Sequence, residues 1–107
     1  MPTSYIDNMK VAISPSNPAV AYFVIARPQI GKDTVNNTGE VRGIYTTSTL
    51  LSPSVSWTDI TPTGANAKYM FKQGWYHNAV AVDPANPSTV FVGAGDLLKS
   101  TNQGFYR

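Results

Sequence analysis

Hydrophobic positions along this chain come in short bursts with a period of two, and each burst is soon closed by Pro, Gly, Ser or Asn. Alternation of that kind belongs to strands. Helical spacing is absent, because Pro or Gly interrupts nearly every stretch long enough to hold a helix. The pattern predicts strands near 9–14 (MKVAIS), 20–26 (VAYFVIA), 43–48 (GIYTTS) and 55–61 (VSWTDIT). It predicts three more near 78–83 (NAVAVD), 89–94 (TVFVGA) and 96–100 (DLLKS). Four strands and then three, in the same order, make an all-β chain built as a repeated antiparallel meander.

The repeat is also visible residue by residue. KVAISPSNPAVAYFVIA at 10–26 aligns with AVAVDPANPSTVFVGAG at 79–95, an offset of 69 positions. Val11, Ala12, Pro15, Asn17 and Pro18 fall on Val80, Ala81, Pro84, Asn86 and Pro87, and Tyr22 falls on Phe91. SPSNP and DPANP are turns with a mechanism: Pro presets φ, while Ser, Asp and Asn bond the nearby backbone. From the third strands onward the offset shrinks to 53, so the first unit holds a 16-residue insertion, roughly Pro28 to Arg42. Such repeat units do not bury their hydrophobic faces alone.

Composition fits this picture. The chain has 107 residues, 42% hydrophobic but only 13% charged, against about 25% charged in ordinary soluble domains. Net charge is +2 and the basic residues form no stripe, which argues against a nucleic-acid partner. The absence of cysteine excludes disulfides, thiolate metal sites and a cysteine nucleophile. The longest apolar run, Ala19 to Ala26, is too short for a membrane helix, and MPTSYIDNMK has no signal-peptide pattern. No motif calls for a cofactor. His77 is the sole histidine and lacks metal-ligand spacing, so no metal site is expected.

The order strand, D-P-A-N-P, strand, S-T-N-Q-G across residues 80–104 resembles the Asp-box (BNR-repeat) β-propeller family, with blades similar to those of large secreted bacterial propeller and glycosidase-like proteins. The resemblance implies propeller blades: residues 1–77 as a first blade with its insertion and inter-blade link, and 78–107 as a second. Ser100, Asn102 and Gly104 stand for the structural Asp-box turn, with Asn102 where the family has Asp. The chain stops at Arg107, before the family's T-W, so the second blade is expected to lack its fourth strand. Two such blades do not close a ring. Closure is expected from several copies of the chain, or from a longer parent chain. By the same resemblance the protein is extracellular or at the cell surface.

In resembling propellers the ligand face lies on the end of the meander that holds the second-to-third loop and the inter-blade link. Here that end would carry Arg27 and Arg42 beside the insertion, and Trp75, Tyr76 and His77 in the link. Trp75 and Tyr76 suit either sugar stacking or packing between blades. The two arginines suit either a carboxylate clamp or solvated loop ends. Asp33 and Glu40 are the acid pair on that end, seven positions apart in a loop, which is poor placement for glycoside hydrolysis. Asp83 and Asp96 read as turn residues. Sialidase chemistry needs an arginine triad and a Tyr–Glu pair, and this chain has three scattered arginines and one Glu. Asn36-Asn37-Thr38 matches the N-glycosylation triplet, a weak signal. The expectation is a non-catalytic scaffold or a glycan- or protein-binding segment. The rivals are a fragment of a xyloglucan-active or sialidase-like glycoside hydrolase, and a purely structural oligomer.

Overall fold

Short alternating strands joined by tight turns can only bury their apolar rows by laying one sheet on another. The computed structural model describes residues 2–3, 6–28, 39–71, 73–74, 77–101 and 104–106, and it has this form. Sheet 1 runs β1 (Met9–Ile13), β2 (Ala21–Ala26), β3 (Val41–Thr47) and β4 (Thr58–Asp59). Sheet 2 runs β5 (Ala79–Val82), β6 (Val90–Gly93), β7 (Leu97–Thr101) and β8 (Gly104–Tyr106). Both are antiparallel meanders in sequential order, and neither closes on itself. The only helical turn among the described residues is a short 3₁₀ segment at Gly64–Lys68. Among those residues no helix is long and apolar enough to cross a membrane.

The two sheets share one register. Val11, Phe23 and Tyr45 stand side by side in sheet 1, and Val80, Val92 and Leu98 do so in sheet 2. These are the same positions under offsets of 69 and 53. The first turns match as well. Ser14 N donates to Val20 O and Val20 N to Asn17 O, while Asp83 N donates to Thr89 O and Thr89 N to Asn86 O. Asn17 and Asn86 each accept a backbone N–H two residues on, from Ala19 and Ser88. The same sequence pattern has produced the same local structure twice.

Three boundaries differ from the sequence expectation. Sheet 2 has a fourth strand, β8, so the second unit is not truncated there. It is only three residues long and begins at Gly104, whose φ of 110° turns the chain where a side chain would be strained. Asn102, the centre of the expected turn motif, lies outside the described residues. Val41 and Arg42 belong to β3 rather than to the insertion, and the neck of that loop is pinned by Arg27 N to Glu40 O and Gly39 N to Pro28 O. Arg42 is the extra residue of a β-bulge, because Ile25 pairs Gly43 while Ala26 pairs Val41. Finally, the long strand expected at 55–61 contracts to Thr58–Asp59, with Trp57 beside it tilted against the Phe23 ring at 6.0 Å.

The core lies between the sheets. The inner face of sheet 1 supplies Tyr22, Val24 and Ile44, and that of sheet 2 supplies Val82, Val90, Val92 and Leu98. The link between β4 and β5 adds Tyr69 and Met70, both fully buried. Polar ties sew the two halves together. Asn78 Nδ2 donates to Asn8 O and Val24 O, Asn8 Nδ2 donates to Gly74 O, and Tyr22 Oη donates to Pro87 O at 2.8 Å.

Candidate functional site

Antiparallel order sends successive connections to alternate ends of each sheet. The β2–β3 connection and the β4–β5 link therefore share one end, which was the expected ligand end. Arg27 stands half-buried just past β2, and Arg42 half-buried at the bulge of β3. His77 is exposed just before β5, its N–H donating to Gln73 O. The structure thus puts these three residues at one end of the stack. Trp75, Tyr76, Asp33 and the Asn36–Thr38 triplet lie outside the described residues. Glu40 is buried beside Tyr69, whose hydroxyl feels its charge.

The remaining described acids of the strands and turns serve their own backbone. Asp83 Oδ1 accepts from Ala85 N, Asp96 Oδ1 from Leu97 N, and Asp59 Oδ1 from the Thr61 N–H and hydroxyl. Among the described residues no three His, Cys, Asp or Glu side chains gather into a metal-binding group.

A concave feature formed by described residues is at the opposite end. Between the sheets, beside the SPSNP and DPANP turns, opens a cleft of about 500 Å³. Its walls carry hydroxyls from Tyr22, Thr46, Ser48, Thr58, Ser88 and Ser100, together with the amide of Asn17. Among the described residues no charged side chain lines it. Tyr22 reaches across, its ring in the core and its hydroxyl on the Pro87 carbonyl. Thr46 Oγ1 is held by Ala21 O at 3.1 Å. Ser100, read from sequence as part of the turn motif, is an inward-facing β7 residue that contributes to this wall.

Nothing in the sequence reading pointed to this cleft. The signal was the hydroxyl-rich run TTSTLLSPSVSWT at 46–58. Its Thr46, Ser48 and Thr58 meet only because β3 and β4 pair, with Thr46 opposite Thr58.

Burial sets the acid–base behaviour of the tyrosines. Desolvation raises Tyr22, with a hydrogen bond to Thr46 acting the other way. It raises Tyr45 too, helped by Asp59 and opposed by Arg42. Tyr69 is raised most, by desolvation and then by the charge of Glu40, and its buried hydroxyl has no hydrogen-bond partner among the described residues. An unfolded tyrosine loses its proton near pH 10. The folded tyrosines hold theirs to higher pH, so their contribution is complete below pH 10 and declines as pH rises beyond it. Thermal melts on either side of pH 10 are expected to show stability falling with rising pH. In Tyr69→Phe that decline is expected to be shallower, with no loss of stability at neutral pH, because an unsatisfied hydroxyl has been removed.

Comparison of the chain with protein-family models, with curated proteins and with solved structures finds no match.

Proposed function

We propose that this chain is a non-catalytic segment of a propeller-like repeat protein, a scaffold whose cleft binds a neutral, hydroxyl-rich ligand such as a glycan. The observation that carries this reading is the cleft of about 500 Å³ whose described lining offers side-chain hydroxyls and one amide and carries no charge. Hydroxyls donate and accept at once, which suits a partner that is itself a polyol. Small-molecule sites are concave, with a few convergent polar groups set among apolar ones. Val20 and Ile60 supply the apolar part. The matched registers and turns of the two sheets support the propeller-like repeat, and the same resemblance favours a secreted or surface location.

The test is titration of the chain with a panel of neutral oligosaccharides, followed by Thr46→Val and Thr58→Val, which keep shape and remove hydroxyls. Binding is expected, weakened about fivefold to tenfold by each variant, the equivalent of one neutral hydrogen bond. No binding across the panel would remove the ligand reading. Release of new reducing ends from a polysaccharide would overturn the non-catalytic one.

A further inference from the structure

The repeat and the packing together say what should cover the two outer faces. Inside the chain, the inner face of sheet 1 meets the inner face of sheet 2. Under the repeat these two are not the same face. The inner row of sheet 1 (Tyr22, Val24, Ile44) corresponds to Phe91, Gly93 and Leu97, which lie on the outer face of sheet 2. The inner row of sheet 2 (Val80, Val82, Val92) corresponds to Val11, Ile13 and Phe23, which lie on the outer face of sheet 1. The two units therefore stack front to back, as steps of one series.

Exposure depends on position in that series along β1 and at the start of β7, whereas Ala21, Tyr45 and Thr47, the counterparts of Val90, Leu98 and Ser100, are buried like them. Ile44 is fully buried, whereas its counterpart Leu97 is 59% exposed. Val82 is 8% exposed, whereas its counterpart Ile13 is 53% exposed and neighbouring Val11 56%. Met9 is exposed on the same face. The exposed apolar part of the outer faces is the β1 row Met9, Val11 and Ile13 on sheet 1, and Leu97 on sheet 2, where Lys99 lies over the Phe91 ring. Surfaces of this kind mark interaction sites.

We propose that these outer faces are the two complementary halves of one head-to-tail joint, and that a second copy of this chain occupies it. Leu97 on the outer face of sheet 2 in one copy sits on the Met9, Val11 and Ile13 row of sheet 1 in the next, extending the front-to-back order already present within each chain. A heterologous joint of this sort either closes into a ring or runs on. It does not depend on any ligand in the cleft.

The test uses two variants at positions more than half exposed, Val11→Glu on sheet 1 and Leu97→Glu on sheet 2, with mass measured by light scattering over a concentration series. The unmodified chain is expected to gain mass in whole multiples of one chain as concentration rises. Each variant alone is expected to stay at the mass of one chain. An equimolar mixture is expected to form a two-chain species and nothing larger, because each variant keeps the half that the other has lost. That restoration also shows that both variants fold. An unmodified chain that stays monomeric overturns the proposal. So does a variant that still pairs with itself, which would mean a symmetric contact, or a mixture that does not associate.

Discussion

Tyr22→Ala is expected to lower the stability of the fold by about 3–5 kcal/mol, the range for removing a large buried aromatic side chain. Tyr22 is 5% exposed and does two jobs at once. Its ring fills the space between the sheets, and its hydroxyl donates to the Pro87 carbonyl in the first turn of sheet 2. Truncation leaves a cavity and strips that carbonyl of its partner. Tyr22→Phe separates the two effects. It keeps the ring and is expected to cost only about 1 kcal/mol, the usual size of one hydrogen bond. Denaturant melts of the three proteins provide the comparison. Equal losses in both variants would mean that the ring contributes nothing, contrary to its burial.

Gly74→Val is expected to cost about 3 kcal/mol or more, the upper range for overpacking. A Cβ at Gly74 would lie 2.7 Å from Gly39 O and 2.8 Å from Ala26 Cβ, and closer still to Met70 Sδ. The thioether can swing away, but the carbonyl and the β2 residue are fixed. Gly74 N also donates to that same Gly39 oxygen at 2.7 Å, and Gly74 O accepts from Asn8 Nδ2. Both ties between the link and sheet 1 would be pushed apart. A melting temperature equal to that of the unmodified chain would show that the link is free to move off the sheet.

The architecture was legible because both determinants of it are local. Alternation set the faces, and the SPSNP and DPANP turns set the registers, so Val11 and Val80 could be equated before any contact was known. β8 was missed because a three-residue strand carries too little pattern to register, and its first residue, Gly104, belonged to a motif read only as a turn. The 41–42 boundary was missed for a different reason. A bulge places Arg42, a polar residue, inside a strand, where alternation predicts a loop. The cleft was illegible because its hydroxyls come from both sheets. Ser88 and Tyr22 are far apart in sequence and meet only after the sheets dock. A ligand face had been expected at the other end, where the sequence concentrates Arg27, Arg42 and His77; the described concavity lies at the end with the shorter turns.

The ties between the two halves join residues 54 to 70 positions apart, whereas each meander is made of neighbours along the chain. Local pairings form before distant ones, since closing a long loop costs entropy that only the finished contact offsets. Sheet 1 is therefore the part that assembles first during synthesis, and for that interval Tyr22, Val24 and Ile44 face water. The kinetic hazard of this molecule is set by how quickly its second half arrives. A pause in translation once Asp59 has emerged from the ribosome, and before sheet 2 has, would leave a half-built stack with apolar surfaces on both sides, ready to capture the nearest strand-rich neighbour in place of its own sheet 2.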